Sequence, residues 1–512
     1  MLPAHPTRPH NRLLITLCVM MGNLMQALDS SIANVSLPYM QGSLSTSADE
    51  ITWVLTSYVI AVAIMTAPVG WLAFRFGRKN LHVVCMTGFV LASMLCGAAE
   101  SLEQMVAFRF LQGMFGAALV PLSQATMLDI YPMEGRAQAM AIFGIGVMVG
   151  PIAGPTLGGY LTELYNWRFV FYVNLPFGIL AVTGLVIFLP KAAPLSDLKF
   201  DWTGFAVLAL GVGSLQLMLD RGSQQDWFAS REILIEAVLA GTGLYLFIIH
   251  MFTADRPFLP PGLFKDRNFV CGVTMVFFTG TLLLASSSLM APYLENLAGY
   301  PVEAAGMAMA PRGIGTIIGM QLASRLSTRF DHRMLMAMGL LTLGAAFNSM
   351  SFWTPDVSRN EMIMTLMTQG FAIGFVFNPM TVMAFTTLPA QLRPYSTSLQ
   401  SLCRSMGQAI GVSITSLLLV RNTQVSHADM AAAITPFDRA LQGHDAVSRA
   451  LSPGTPHGAV LLDQMINHQA QIIAYVDDYV LMICTTLPAL LLLLLMRRPG
   501  FVPLAETIQP TE

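Results

Sequence analysis

The first long apolar segment of the chain contains an acid and four neutral polar side chains. On a helix the four neutral ones share one face, within an arc of about 80°: Asn23, Gln26, Ser30 and Asn34. Asp29 lies about 60° further round. A carboxylate inside a membrane costs a few kcal/mol unless it is neutral, paired or hydrated. We therefore expect Asp29 to face a water-filled cavity enclosed by other helices, and to carry a proton there. The alternative is a structural hydrogen bond within its own bundle.

Arg109, in the fourth apolar segment, is the predicted partner of Asp29. At 1.5 Å per residue it lies about 9 Å from the outer end of its segment, and Asp29 lies about 24 Å from the inner end of the first. Against an apolar core about 30 Å thick, both fall in the outer third. We predict that Arg109 reaches Asp29, directly or through water, in at least one conformation. A structural ion pair and a role in coupling both remain open.

Two more arginines, Arg312 and Arg404, lie near mid-depth in later apolar segments, and either can line a cavity that attracts anions or can donate to backbone carbonyls. We expect the backbone role for Arg312 and leave Arg404 open. The predicted substrate cavity is polar and draws on both halves of the chain, from Asn23, Gln26, Ser30, Asn34, Gln112, Asn378, Arg404 and Gln408.

Composition indicates a polytopic membrane protein. Of 512 residues, 54% are hydrophobic and 11% are charged, whereas soluble proteins carry about 25% charged residues. The net charge of -2 gives no reason to expect a nucleic-acid partner. The chain has no CxxC, HExxH or Walker motif and no GxGxxG after a strand, so the sequence predicts no metal, cofactor or ATP site and no enzyme.

At about 20 apolar residues per crossing, the chain holds fourteen predicted spans: 13–38, 51–74, 81–99, 104–128, 138–161, 168–189, 203–220, 231–253, 269–294, 303–324, 334–353, 362–388, 396–420 and 473–496. With a cytoplasmic N-terminus, seventeen of the 27 Lys and Arg residues lie inside and seven outside. The positive-inside rule then predicts that both termini are cytoplasmic. All six tryptophans fall near proposed span boundaries, as in an interfacial aromatic belt.

The fifth span carries glycines at every fourth position, Gly146, Gly150, Gly154 and Gly158, followed by Gly159. On a helix the first four form a bare ridge that another backbone can approach closely. Pro151 and Pro155 remove backbone donors, which lipid tolerates only where neighbouring helices satisfy the freed groups. We predict that this helix is buried among others.

The predicted fold is all-α, with two six-helix bundles and an inserted helix pair. Its predicted parts are a cytoplasmic tail, the first bundle, a linker with the inserted helices, the second bundle and a second cytoplasmic tail: 1–12, 13–190, 191–253, 254–496 and 497–512. One long outer loop, 422–472, precedes the last span. The helical spacing at the end of that loop fits a helix lying along the membrane surface. The alternative is a solvated loop with a helical end, and docking of a partner there is a further hypothesis.

Several motifs resemble those of the 14-helix drug:proton antiporters of the major facilitator superfamily. Leu28–Pro38 is similar to their first-helix signature LDxTIVNVALP, Arg109–Gly113 to their RxxQG motif, and Gly146–Gly159 to the antiporter motif GxxxGPxxGG. Gly70, Arg75, Gly77 and Arg78 match the gating loop after the second helix, although Phe74 stands where the superfamily has an acid. Matches at 167–176, 216–222 and 263–269 resemble the EmrB branch.

This resemblance implies proton-driven export of hydrophobic or amphipathic compounds by alternating access, with Asp29 and Arg109 in proton coupling. It also implies a bacterial inner-membrane location, an EmrA-like periplasmic adaptor and a TolC-like outer-membrane channel. Two other functions remain open. One is a dedicated exporter of a single metabolite or siderophore. The other is a non-transporting membrane receptor or scaffold.

Overall fold

The computed structural model describes residues 9–132, 135–190, 199–434, 451 and 455–496, and all regular secondary structure within these residues is helical. In chain order its helices are α1 Pro9–Ser43, α2 Ala48–Ile51, α3 Trp53–Thr66, α4 Val69–Phe76, α5 Arg78–Ala98, α6 Leu102–Gly116, α7 Leu119–Ile130, α8 Arg136–Leu164, α9 Phe169–Tyr172, α10 Asn174–Phe188, α11 Trp202–Arg221, α12 Arg231–Thr253, α13 Arg267–Pro292, α14 Val302–Leu326, α15 His332–Met350, α16 Arg359–Thr386, α17 Arg393–Ala433 and α18 Pro456–Leu495. Short 3-10 turns lie at Trp227–Ala229, Pro261–Lys265 and Ala390–Leu392, and a π-helical turn at Tyr293–Leu297.

The helices of the structure are consistent with the fourteen predicted spans. Eleven stretches among the described residues are long and apolar enough to cross a membrane. The other three spans are α8, α14 and α15, with 29, 25 and 19 residues. Three spans are built from two consecutive helices each, namely α3 with α4, α6 with α7, and α9 with α10.

Polar side chains cap several helices where the chain enters a span. Ser101 accepts a hydrogen bond from the backbone N–H of Gln104 at the start of α6, and Ser358 caps α16 in the same way. Asp201 and Asp266 cap α11 and α13. These side chains satisfy backbone donors that the first turn of a helix leaves without partners, and so they mark where each helix begins.

The inserted helices α11 and α12 form a tight pair beside both bundles. An ideal Cβ on Gly243 would lie 2.5 Å from the backbone N of Gly211, so only glycine allows the two backbones to approach this closely. α11 packs against α3 of the first bundle and α17 of the second. The Ser413 hydroxyl on α17 donates to the Leu219 carbonyl on α11 at 2.8 Å. The pair therefore bridges the two halves.

The structure differs from the sequence prediction at the outer loop. α17 has 41 residues and α18 has 40, so each is about 60 Å long, twice the thickness of a bilayer core. The predicted loop 422–472 is therefore largely two helical extensions, and its residues 435–450 and 452–454 lie outside the described part of the chain.

The helix predicted to lie along the membrane surface is instead continuous with the last span, so that prediction is wrong. Two polar contacts join this helix to α17. His427 lies 2.9 Å from Asp463, and Asn422 donates to Asp477 at 3.2 Å. The spacing that suggests a surface helix is equally that of a helix packed on a partner, and periodicity alone cannot distinguish the two.

Candidate transport site

Asp29 and Arg109 form an ion pair in the interior of the first bundle. Nη1 of Arg109 lies 2.6 Å from Oδ2 of Asp29 and donates a second hydrogen bond, at 2.8 Å, to Oε1 of Gln112. The Gln112 amide in turn donates to Oδ1 of Asp29 at 2.8 Å. The predicted contact between Asp29 and Arg109 is therefore confirmed. Because Arg109 and Gln112 are three residues apart on α6, one helical turn presents both donors to the same carboxylate.

Asn174, the first residue of α10, supplies a third donor. Its Nδ2 lies 3.1 Å from Oδ1 of Asp29 and 3.0 Å from Oγ of Ser93. Ser93 is anchored in turn, because its hydroxyl donates to the Phe171 carbonyl at 2.9 Å. Three transmembrane segments thus converge on one carboxylate.

The Arg109 guanidinium is fixed by more than its ion pair. Its Nε donates to the Val54 carbonyl at 3.2 Å, and its central carbon lies 4.2 Å from the centroid of the Tyr58 ring. A guanidinium over an aromatic face gains about 0.5–2 kcal/mol when it is removed from water. Arg109 is fully buried. The α3 helix therefore sets the position of the cation that faces Asp29.

Asp29 does not face a water-filled cavity in this conformation, contrary to expectation. It is 1% exposed, and its carboxylate is surrounded by protein donors. The physical reason is its position on α1. Ser30 and Asn34 are exposed on this helix, whereas Asp29 lies further round and points into the bundle toward α6 and α10.

The other predicted cavity residues fall into two groups. Asn23, Gln112 and Asn378 are fully buried, whereas Ser30 and Asn34 are exposed and Gln26, Arg404 and Gln408 are partly buried. The structure does not bring the first group to a cavity. Gln112 belongs to the ion-pair cluster, and Asn378 donates from α16 to the Met320 carbonyl on α14 at 3.2 Å. A polar residue in a span needs a partner, and for Gln112 and Asn378 a neighbouring helix supplies one as well as a cavity does. Neither the amide nitrogen nor the amide oxygen of Asn23 has a hydrogen-bond partner.

Arg404 lines a small cavity in the second bundle with Leu283, Leu343, Phe377 and five further residues. Its volume is about 20 Å³, room for a water molecule but not for a drug-sized compound. Arg312, in contrast, donates to the Leu283 carbonyl at 2.9 Å. The expected backbone role of Arg312 is thus confirmed.

The glycine ridge of α8 lies directly against α1. An ideal Cβ on Gly150 would be 2.4 Å from the carbonyl carbon of Ala27, and one on Gly154 would be 2.4 Å from Cβ of Ser31. Gly146 and Gly158 likewise contact Met20 and Ile32 of α1. Gly159 has no atom within 4 Å of such a Cβ. Gly150 and Gly154 are therefore the positions of the motif where α1 leaves no room for a side chain, whereas Gly159 has open space.

The two bundles meet at the membrane face where α1 begins and α18 ends, which we call the terminal face. Asp129, at the end of α7, forms ion pairs with Arg78 on α5 and with Arg393, the first residue of α17. The Arg393 contact, at 2.8 Å, joins the bundles. About two turns deeper, the Gln124 amide donates to Oε1 of Gln400 at 2.7 Å. These contacts close the terminal face.

An aromatic pair adds to this closure. Phe74 on α4 stacks on Tyr395 of α17, with centroids 5.2 Å apart and planes 27° apart. Gly70, one turn earlier, allows the close approach, since an ideal Cβ there would lie 2.7 Å from Cα of Tyr395. Gly77 adopts a φ of +81° between α4 and α5, which places Arg78 beside Asp129. Arg75 lies in the last turn of α4. The predicted gating loop thus lies at the interface between the bundles.

Sequence reasoning missed three of these residues. In the sequence Asn174 stands out only as part of the motif match at 167–176. The feature that could have identified it as a site residue is its polar amide side chain. Asp129 and Tyr395 lie at span ends, where acids and tyrosines are common. Only their position opposite Arg393 and Phe74 makes them notable.

Comparison with known proteins agrees with this architecture. Residues 19–412 match the Major Facilitator Superfamily. The chain belongs to this superfamily. It is 32% identical over 463 residues to the multidrug export protein EmrB of Escherichia coli, covering 90% of each chain. It is also 34% identical over 432 residues to the probable multidrug resistance protein EmrY of Escherichia coli, covering 83% of each.

Among solved structures, the human organic anion transporter MFSD10 superposes with a TM-score of 0.59 at 15% identity, covering 94% of this chain and 100% of that one. The predicted family and major facilitator fold are therefore confirmed. The chain is a multi-pass membrane protein of a transporter superfamily.

Proposed function

We propose that this major facilitator protein is a proton-driven multidrug exporter for hydrophobic or amphipathic compounds. The buried Asp29–Arg109 pair carries the proposal, because it is an ionisable acid and a cation held together inside a membrane bundle. The similarity to EmrB and EmrY, which are named for multidrug export and resistance, supports the substrate class. Entry of one proton at 100 mV supplies about 2.3 kcal/mol, which sustains a substrate gradient of roughly fifty-fold.

In this proposal the two bundles rock about a central site, as inverted-repeat transporters do. The terminal face is cytoplasmic, and the conformation described above is closed on that side. Exposure of Ser30 and Asn34 on the outer half of α1 fits an opening to the other side, where substrate leaves. The division between the bundles follows the predicted boundaries, 13–190, 191–253 and 254–496, with both termini in the cytoplasm.

The proton enters where the Asp29 carboxylate is made available. Oδ2 is bound by Arg109, so protonation requires that the guanidinium, Gln112 or Asn174 turn away first. Movement of α3 or α6 displaces Arg109, because Val54 and Tyr58 fix its position. Protonated Asp29 no longer attracts Arg109, and this change biases the bundles toward the state that opens to the cytoplasm. Substrate entry there expels the proton.

We also propose that the protein works in a bacterial inner membrane with an EmrA-like adaptor and a TolC-like outer-membrane channel. The α17–α18 extensions, which continue well beyond a bilayer thickness, support an outer docking site near residues 422–472. Crosslinking in cell envelopes, with and without residues 425–470, tests this partner.

Transport by purified protein in liposomes tests the function directly. An imposed pH gradient should drive accumulation of several chemically unrelated dyes, and dissipating the gradient should abolish it. Accumulation of one compound class alone would instead indicate a dedicated exporter. Absence of any pH-driven flux in active preparations would refute the proposal.

A further inference from the structure

A second acid is buried in a membrane-spanning helix, at the opposite end of the chain from Asp29. Asp478 lies on α18 and is 0% exposed. Neither of its carboxylate oxygens has a hydrogen-bond partner. The preceding residue, Asp477, is exposed and accepts a hydrogen bond from Asn422. Two consecutive acids therefore have opposite environments.

Aromatic side chains surround Asp478. Tyr475 and Tyr479 lie on the same side of α18 and are 5% and 1% exposed. Tyr293 packs on Tyr475 with centroids 5.4 Å apart, and Trp353 lies 6.5 Å from Tyr479. The Tyr479 hydroxyl also has no hydrogen-bond partner. The acid thus sits among apolar rings, with an unpaired hydroxyl beside it.

The same bundle also contains a buried cation, Arg312. Arg312 on α14 is 6% exposed and donates to Ser287 at 2.6 Å and to Ser286 at 2.9 Å, both on α13. None of its partners among the described residues is a carboxylate. Arg312 and Asp478 both interact electrostatically with Tyr479. The two serines and the Leu283 carbonyl therefore hold this cation, and the structure does not pair it with Asp478.

The charged and titratable groups acting on Asp478 are few. On its own helix these are Asp477, Tyr475 and Tyr479, and Tyr293, on the π-helical turn packed against α18, acts on the two tyrosines. Within the described residues, α13, α15 and α17 place no charge in electrostatic contact with it. An unpaired buried charge costs several kcal/mol, whereas a neutral carboxylic acid costs far less. Because neither oxygen of Asp478 has a hydrogen-bond partner, this environment favours the neutral acid.

We propose that Asp478 is a second proton-binding site, neutral in this conformation, which releases its proton when movement of the second bundle brings water to its carboxyl group. The O–H bond of the acid breaks, the proton passes to water, and the carboxylate is then stabilised by hydration. In the conformation described here the two buried acids differ, because Asp29 is paired with a cation and Asp478 has no partner.

The number of protons exchanged per substrate tests this inference, which rests on the proposed proton-driven export. The ratio is obtained in liposomes from the substrate gradient that cancels flux at a set pH gradient. Asp478→Asn should lower the ratio by one proton. The matched control Asp477→Asn, which changes the exposed neighbour, should leave it unchanged. An unchanged ratio in Asp478→Asn would overturn the proposal.

A second measurement needs no transport, so it tests proton binding by Asp478 separately from the proposed proton-driven export. Infrared difference spectroscopy of purified protein across a pH titration reports protonated carboxyl groups. Asp478→Glu should shift the frequency of one carboxylic-acid band, and Asp477→Glu should not shift that band. If no such band responds to substitution at Asp478, the residue holds no exchangeable proton and the inference fails. This test stands even if the liposomes show no pH-driven export or if Asp478→Asn does not fold.

Discussion

Phe74 and Tyr395 stack across the boundary between the two bundles, with ring centroids 5.2 Å apart. At the position of Phe74 the superfamily motif has an acid, so this chain closes its gating loop on α17 with an aromatic contact. A separate ion pair, Asp129 with Arg393, joins the bundles beside it. Salt screens the ion pair but leaves the stack unaffected. The terminal face is therefore closed by two contacts that respond differently to solution conditions.

Removal of the aromatic stack should favour opening of the terminal face. A stacked pair contributes about 0.5–1.5 kcal/mol beyond its buried area, so Phe74→Ala should shift the open-to-closed ratio by roughly 2- to 12-fold. Distances between spin labels on α7 and α17 report that ratio. Phe330→Ala removes an exposed aromatic ring in the loop after α14 and serves as the control. Equal distance distributions in Phe74→Ala and Phe330→Ala would show that the stack does not hold the face closed.

The ion-pair contribution should depend on salt. Asp129→Asn removes both the Arg78 and Arg393 contacts, and the terminal face should open more often at low ionic strength. The Debye length falls from about 10 Å at 0.1 M to about 3 Å at 1 M, so salt should open the unsubstituted protein toward the level of Asp129→Asn. The variant itself should respond little. A salt response of equal size in both proteins, by the same spin-label distances, contradicts this assignment.

The glycine motif of α8 should separate into essential and dispensable positions. Gly150→Ala places a methyl group against the Ala27 backbone of α1, and overpacking of this kind costs about 1–3 kcal/mol. Gly159→Ala places its methyl group in open space. Thermal unfolding in detergent should show a lower Tm for the first variant and little change for the second. Equal stability of the two would contradict the packing of α8 on α1.

The sequence predicted the helical architecture well, because hydropathy and glycine spacing act within one helix. It failed where the answer depends on which neighbour a side chain meets. Gln112 and Asn378 have the polarity expected of cavity residues, yet each donates a hydrogen bond inside its bundle, to Asp29 on α1 and to the Met320 carbonyl on α14. The sequence predicts that Asp29 is buried and ionisable. It does not predict whether Asp29 faces a cavity or the bundle interior, because its offset of about 60° from the polar face of α1 decides between the two.

The ends of the last spans show the same limit. Hydropathy falls after residue 420, so the sequence predicts a loop for the polar segment up to 472. In the structure the described ends of this segment extend α17 and α18, and His427 on α17 lies 2.9 Å from Asp463 on α18. The sequence does not predict that Asp478, in the apolar part of α18, is buried. Nothing in the neighbouring residues distinguishes it from Asp477, which alone faces outward in the structure.

Replacement of Arg109 by lysine should uncouple transport while keeping the charge. Lysine has one ammonium and no planar fork, so it cannot donate simultaneously to Asp29, Gln112 and the Val54 carbonyl. We expect Arg109→Lys to reduce pH-driven dye uptake at least tenfold, with near-normal dye binding. Arg168→Lys, at an arginine outside the site, controls for loss of a guanidinium. Full dye uptake by Arg109→Lys would show that a positive charge is sufficient at this position. The simultaneous hydrogen bonds of the planar guanidinium would then not be required for coupling.

The central claim is that the buried acid on α1 couples protons to export. Its most direct test is substrate-induced proton movement in liposomes that contain equal amounts of unsubstituted protein or Asp29→Asn, with folding checked by thermal unfolding. The account predicts proton movement on substrate addition in the first preparation and none in the second, which should still bind dye. Proton movement of the same size in folded Asp29→Asn would contradict it.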